Sequence, residues 1–580
     1  MARPSSPCWS DSFDFLPAAT RSLVGVRAAS IVPFLTSLVV PITLGLAITP
    51  QSLWTDEGFT VWFASHRSFP SFFHALVGRR GAPGDPQFLF YLLHMWGWIK
   101  VFGSSELSLR AANIPFAVIF IYAMRWASQH LFWNRHLWVL FCLSPFFWFY
   151  LNEARPYIAL LSFASVATVA LVAFLLDSKR YGKIAPGLCL LALFSAWGVH
   201  ILAVFLFPTV LILILITVFG DPDLKSDFFR YWTHPALWCA PLFFALGGFY
   251  FWVSFNGVNK SEAIPGWRNL AFALYEFAGF AGLGPPRNDI RETPGFSVFF
   301  PYWPWLLLGT VSLAAVILYQ CKALRSRIPR NILISATLGL LIALGVSVFE
   351  HFQILGRHLA VFLPLIIVVV MLDPRHSLRP PTVQRGAMVA VIALGVVWGI
   401  SDLRLVFLNK YAKDSYREAC SIALSRAGED GAVILWAADP VTAEYYGLAV
   451  TPRSGSILGV EPEGQRSASA RQAIAASDWS AEQANAYFAN SSVPIILVLG
   501  KSDPFDPSGA WRARIQAQTP ASIAHLNTLS IYEWRLGTDA ICNSCSVESP
   551  HKFRIDQTSK NELPPHLLSL GSSSRAKVAP

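Results

Sequence analysis

Long apolar runs recur along the first two thirds of the chain, separated by short polar stretches. They fall near 26–48, 87–102, 109–129, 131–150, 157–176, 184–198, 199–220, 235–256, 302–320, 331–350, 355–372 and 387–405. A helix needs about 20 apolar residues to cross a bilayer, so these runs predict membrane helices, the shorter ones tilted or incomplete. The weakest is 87–102, which holds His94 and Lys100 and predicts a re-entrant or interfacial helix covered by protein. After 405 the pattern changes: polar residues rise and no run is long enough to span. YREACSIALSRAGEDGAVILWAADPVTAEYYG (416–447) reads as a helix, a compact strand, a turn and a second helix, and VPIILVLG (493–500) and SIYEWRL (530–536) read as further strands. The expected fold is a polytopic α-helical membrane protein of about 11–12 transmembrane segments with a small C-terminal α/β domain. The expected division is an N-terminal segment 1–25, a multispanning domain 26–405 with a first outer loop 50–86, an α/β domain 406–540 and a disordered tail 541–580. No internal repeat is visible.

Composition agrees with the pattern. Hydrophobic residues make up 54% of the 580 and charged residues 14%, against about 25% charged in a soluble domain. The net charge of +10 does not point to nucleic acid, because the basic residues sit in short clusters between apolar runs. These clusters are DSKRYGK (177–183), CKALRSRIPR (321–330) and PRHSLRPPTVQR (374–385). Placing them in the cytoplasm puts the N-terminus, with Arg3, Arg21 and Arg27, inside. The loops 151–156, 257–301 and 351–354, the segment after 405 and the stretch around residue 56 then lie outside. No cleavable secretory signal is evident. Cys142, Cys189, Cys239 and Cys321 lie in or beside apolar runs as packing residues, and Cys542 with Cys545 forms a lone CxxC, half a zinc site or a local disulfide.

Four polar clusters stand at the ends of apolar runs. In PQSLWTDEGF (50–59), Asp56 and Glu57 follow the first run almost directly, and an acidic pair beside a membrane span is costly unless it is wet, paired or functional. An interfacial helix cap or a solvated loop start is the plainer reading. In GDPQFLFYLLHMW (84–96), Asp85-Pro86 suits a helix start, and His94 on its apolar helix suits a packed histidine. In FYLNEARPY (149–157), Glu153 and Arg155 sit at the membrane border, where an arginine can snorkel or grip a phosphate. In EHFQILGRH (350–358), Glu350, His351, Arg357 and His358 meet at the junction of two apolar runs. No Gly-rich nucleotide-phosphate loop is present.

The ordered series LWTDEGFT, DPQFLFYLLHMW, VFGSSELSLRAANIPFAV and LSPFFWFYLNEARPYIALL resembles the dolichyl-phosphate-mannose–protein mannosyltransferase-like family. The nearest branch holds the rhizobial lipopolysaccharide galacturonosyltransferases and the lipid A aminoarabinose transferases. The resemblance covers about residues 50–180, and GRHLAVFLPL (356–365) is similar to a later family segment. It implies a GT-C glycosyltransferase that takes a sugar from a polyprenyl-phosphate donor at the outer face of the inner membrane, with inversion. Asp56 then matches the family's catalytic acidic residue, expected to act as general base, and Glu57 its companion. Asp85, His94, Arg110, Glu153, Arg155, Arg357 and His358 fall where the donor phosphate or the acceptor binds. The family usually has His-Pro-Pro or Lys-Pro where this chain has Asp85-Pro86-Gln87. The extra carboxylate offers a ligand, with Asp56, for a divalent cation such as magnesium or manganese. The implied partners are the lipid-linked donor, membrane lipid and a glycolipid, lipopolysaccharide or protein acceptor. A lipid-linked glycan flippase and a non-catalytic assembly subunit are the competing classes. A flippase more often carries inverted repeats and charges near the midplane.

Overall fold

The structure is a computed structural model. It describes residues 40–79, 82–83, 86–255, 267–292, 295–320, 323–351, 354–372, 380–451, 471–501 and 505–535. The expected segments 1–25 and 541–580, most of the first run, Asp85 and the Cys542/Cys545 pair lie outside these residues.

Among the described residues seven helical segments are long and apolar enough to span: 106–130, 157–176, 201–218, 222–253, 297–319, 327–349 and 381–407. Two shorter apolar helical segments, 185–199 and 356–371, accompany them. The segment expected as the first outer loop forms α1 (Thr55–Ala64) and α2 (Phe69–Val77). α3 (Leu89–Phe102) follows, a helix of 14 residues. At about 1.5 Å per residue it is too short to cross a hydrocarbon core of about 30 Å. α4 (Glu106–Ala111) leads into α5 (Ile114–His130).

The expected single span at 131–150 is corrected. It is broken into α6 (Trp138–Cys142) and α7 (Pro145–Leu151). Pro145 has no N–H to donate and disfavours helical geometry at Ser144, where the helix stops and restarts, and residues 131–137 form turns ahead of α6. α8 (Tyr157–Leu176) is the most buried span and packs against α5 and α9 (Ala185–Val199). The chain continues through α10 (Leu206–Val218), α11 (Pro222–Phe255), α12 (Trp267–Phe277) and α13 (Arg287–Glu292). α14 (Trp303–Gln320), α15 (Arg327–Phe349), α16 (Leu363–Met371) and α17 (Pro381–Phe407) complete the bundle.

Contacts fix the two ends of the bundle. Asp56, Glu153, Arg155, Arg287, Arg357 and Lys413 meet at one end. At the other, Ser178 bonds Asp227, and Arg327 reaches the Thr217 carbonyl at 2.8 Å and Asp221 at 3.8 Å. The basic stretches 177–183 and 323–330 therefore lie at the end opposite the acidic pair.

The C-terminal domain begins with α18 (Tyr416–Asp430), stopped by Gly431 at φ 63°, a left-handed conformation that glycine adopts without cost. β1 (Val433–Ala437), α19 (Pro440–Tyr445), β2 (Leu448–Thr451) and β3 (Arg471–Ala475) follow. Then come α20 (Ala481–Asn490), β4 (Ile495–Gly500), α21 (Ala510–Ala517), β5 (Ser522–His525) and β6 (Leu529–Trp534). The strands form one sheet in the order β2-β3-β1-β4-β6-β5, parallel from β2 to β4 and antiparallel through β6 and β5. Alternate residues of β1 face opposite cores: Ile434 and Trp436 pack with Tyr416 and Cys420 of α18, Leu435 and Ala437 with Phe488 and Trp511. Cover on both faces explains why β4 reads as an unbroken apolar run.

α19 docks directly on α1. Val441, Tyr445 and Tyr446 belong to the membrane domain's apolar cluster. A Cβ added at Gly58 would lie 2.2 Å from Thr442 Oγ1. Gly58→Ala is therefore expected to loosen the two domains by about 1–3 kcal/mol. A lower thermal unfolding temperature and faster proteolysis near 408–415 would register this. Gly58→Ala combined with Thr442→Ala should recover part of the loss, since the closest atom is gone.

Candidate active site at one end of the bundle

The site is built on a turn that the sequence forces. α7 ends at Leu151 and α8 begins after Pro156, leaving Asn152–Arg155 to cross between them. Asn152 anchors this turn to the chain entering α1: its Oδ1 accepts from the Thr49 N–H at 2.8 Å, and its Nδ2 donates to the Ala47 carbonyl at 3.3 Å. α1 then starts at Thr55, with Glu57 at its third position accepting the Trp54 N–H at 3.3 Å. A carboxylate there also meets the positive end of the helix dipole.

Glu57 is wholly buried and holds a bidentate pair with Arg110, Nε to Oε1 at 3.1 Å and Nη2 to Oε2 at 2.9 Å. The Ala154 N–H donates to Oε1 at 2.8 Å, and Lys413 Nζ lies 3.5 Å from the same oxygen. Burial pushes the Glu57 carboxyl up, but the charges of Arg110 and Lys413 and the donated hydrogen bonds outweigh it and hold it at about 2. The remaining Arg110 donors go to the carbonyls of Thr49 (2.8 Å), Gln51 (2.7 Å) and Ser52 (3.2 Å). All five guanidinium N–H groups are thus engaged within the protein. This corrects the expectation that Arg110 binds a donor or acceptor: it has no donor left to offer. Glu57 likewise has no surface on a cleft.

Asp56 is different. Its side chain is 26% exposed, the most open of the carboxylates gathered here. Arg357 Nη2 lies 3.2 Å and Arg155 Nη2 3.8 Å from its Oδ2. Arg155 also donates to the Asp56 carbonyl at 3.1 Å and Thr60 Oγ1 at 3.2 Å, with its guanidinium 4.6 Å from the Phe88 ring. Arg357 lies over Trp54 and Tyr157, at 5.3 and 5.7 Å. As a cation ligand Asp56 does not fit well, because two guanidiniums occupy the space its carboxylate faces.

Next to the Asp56–Arg357 pair opens a half-open cleft, lined by Trp54, Glu153, Arg287, Arg357, Lys410 and Lys413 among others. Glu153 is 2% exposed, with Arg287 Nη1 and Lys413 Nζ both 3.9 Å from Oε1, and no hydrogen-bond partner on Oε2. Burial pushes its carboxyl up, partly offset by Lys413 and Arg287. Arg287 pairs with Glu276, donates to Tyr150 Oη at 2.9 Å and stacks on the Phe149 ring at 3.7 Å.

The structure therefore brings Asp56, Glu57, Glu153, Arg155 and Arg357 together. His94 is turned elsewhere: its Nε2 meets the Ala112 carbonyl at 3.0 Å amid Trp98 and Phe116. His358 caps its own turn, Nδ1 accepting the Leu355 N–H at 3.2 Å, with its ring 5.6 Å from that of His200. Sequence reasoning missed Arg287, Glu276 and Lys413. Their signal was faint: Arg287 and Lys413 stand in polar stretches between apolar runs, and Glu276 is a single carboxylate amid aromatic and apolar residues.

No protein-family model matches the chain, and no curated protein matches it. Among solved structures it is similar to ArnT from Cupriavidus metallidurans bound to undecaprenyl phosphate, at 12% identity and a TM-score of 0.48, covering 87% of this chain and 98% of that one. The same protein in the apo state gives 12% identity and a TM-score of 0.47, over 88% and 98% of the chains. The arabinofuranosyltransferase AftD from Mycobacteria gives 13% identity and a TM-score of 0.41, over 86% of this chain and 40% of that one.

Arg110→Met leaves Glu57 buried without its main partner and is expected to cost about 3–5 kcal/mol. Thermal unfolding in detergent would measure it, and Arg110→Met with Glu57→Met should recover part. The low Glu57 value also has a sign: its contribution is fully present above pH 4.5 and is lost as pH falls through about 2. Glu57→Gln should flatten that part of the acid unfolding profile.

Proposed function

We propose that this chain is a membrane glycosyltransferase of the GT-C type. It moves a sugar from a polyprenyl-phosphate donor to a hydroxyl or amine acceptor at the outer face of the inner membrane. The observation that carries the reading is Arg357, which pairs with Asp56 at 3.2 Å and also lines the cationic cleft. One guanidinium thus joins the exposed carboxylate to a place suited to a phosphate. The ordered motif series of residues 50–180 supports the same class. The basic clusters at the far end of the bundle support this sidedness, since such clusters favour the cytoplasmic side.

The donor phosphate enters the cleft and engages Arg357 and Arg287, whose planar forks suit phosphate oxygens. Drawing Arg357 toward the phosphate loosens its hold on Asp56, which becomes the base. The acceptor O–H or N–H gives its proton to the Asp56 carboxylate as its oxygen or nitrogen attacks the anomeric carbon. The bond from that carbon to the phosphate oxygen breaks, its electron pair stays on the phosphate, and configuration inverts. The arginines stabilise the charge on the leaving phosphate. Arg155 anchors Asp56 through its main-chain carbonyl, and Glu57 acts as a positioning residue that fixes the start of α1. The lipid acceptor or protein acceptor approaches from the open side of Asp56.

The test is transfer from a panel of polyprenyl-phosphate sugars by purified protein in lipid nanodiscs. Asp56→Asn should unfold as wild type does yet lose transfer by about 10²–10⁴-fold. Full activity in that variant would remove Asp56 as the base, and donor binding without turnover in wild type would favour a lipid carrier over an enzyme.

A further inference from the structure

The strap between α17 and α18, residues 408–415, joins the two domains and carries Lys413. Its backbone is held by the α/β domain: Asn527, in the turn between β5 and β6, donates from Nδ2 to the carbonyls of Ala412 and Lys413, the latter at 3.2 Å. From the other side Tyr411 Oη donates to the Gly284 carbonyl at 2.6 Å. With its backbone clamped, the Lys413 side chain reaches into the membrane domain and is 8% exposed at the cleft wall.

What Lys413 finds there is unevenly satisfied. An ammonium has three donors. One goes to the Asn152 carbonyl. The others face Glu57 Oε1 at 3.5 Å and Glu153 Oε1 at 3.9 Å, beyond a normal hydrogen bond. Glu57 already holds Arg110 and the Ala154 N–H, while Glu153 shares Lys413 with Arg287, each only as near as 3.9 Å. A buried, loosely held ammonium on the wall of a cleft that also presents Arg287 and Arg357 is placed to meet an anion.

We propose that Lys413 is a phosphate-binding residue of the cleft, supplied by the interdomain strap and set in place by Asn527 of the α/β domain. This rests on the reading of the cleft as the donor site and deepens it. The α/β domain then completes the binding site and is not a separate module. The groups facing Lys413 are Glu57, Glu153, Arg110, Arg287 and Arg357, with Lys410, Tyr411 and Asp414 beside it on the strap. Burial and the nearby Arg110 lower its ammonium to about 8 against the pull of the two carboxylates. Its charge, present below that value, is lost as pH rises through it.

The experiment measures binding of a polyprenyl phosphate and of the matching uncharged polyprenol to the full chain in nanodiscs, from pH 6.5 to 9.5. Inorganic phosphate is tested as a competitor. Wild type should bind the lipid phosphate more weakly as pH rises through about 8, and the polyprenol evenly throughout. Lys413→Met should weaken lipid-phosphate binding at pH 7 by about 10–100-fold, as expected for a lost charge-assisted hydrogen bond, and leave the polyprenol unchanged. Lys413→Arg, which cannot deprotonate, should remove the alkaline fall. Asn527→Ala, which keeps the charge and frees the strap, should weaken lipid-phosphate binding in the same direction. Lipid-phosphate binding by Lys413→Met equal to wild type would overturn the proposal. So would equal loss of both probes, or an unchanged alkaline fall in Lys413→Arg. Competition by inorganic phosphate at the concentration of the lipid would assign the site to free phosphate instead of a lipid head group. Failure of wild type to bind the lipid phosphate at any pH would sink the donor-site reading itself.

Discussion

The buried pair of Glu57 and Arg110 is the constraint from which the rest of the site follows. Two ions removed from water are tolerable only when nearly every donor and acceptor is used. Here the guanidinium closes on Glu57 and three carbonyls of the chain entering α1, while the carboxylate takes up the N–H of the 152–155 turn. One ion pair thereby locks three separate segments together: the approach to α1, the end of α4 and the turn before α8. Asp56 is next to this lock and inherits its rigidity, yet points to the open side. Adjacent carboxylates have divided the labour, one for position and one for exposure.

Charge around the lock is nearly balanced, with a small excess of positive. Five cations, Arg110, Arg155, Arg287, Arg357 and Lys413, face four carboxylates, Asp56, Glu57, Glu153 and Glu276. Arg110 and Glu57 cancel one another in the interior. The remainder lines or borders the cleft, where aromatic faces of Trp54, Phe149 and Tyr157 shelter the guanidiniums. An anion arriving there would complete the balance.

Much of this was legible in the sequence, and the gaps have physical causes. Apolar runs revealed the membrane bundle, and the unbroken run VPIILVLG revealed a strand covered on both faces. Span counting failed at 131–150, because hydropathy is blind to what Pro145 does to the backbone. The acidic pair and the Glu153–Arg155 turn stood out because charges beside apolar runs are rare. Arg110 also stood out, but its role was misread: whether an arginine offers its donors to a ligand or spends them on carbonyls depends on backbone far away in sequence. Arg287 and Lys413 were passed over because polar loops normally carry such residues. β2, β3 and β5 went unread because they are short and lack a strong apolar alternation.

The strap has a consequence for biosynthesis. Glu57 and Glu153 are made early, and the partners that face Glu153 come from residues 287 and 413, with the clamp on the latter at residue 527. A growing chain therefore carries these acids at the membrane border long before their counter-ions emerge. Until residue 413 and the last sheet strands are made, Arg110, Arg155, Arg287 and Arg357 hold the acidic end without the strap, and its cleft wall is unfinished. Closure of the cleft wall therefore waits on the C-terminal sheet, whose Asn527 holds the strap.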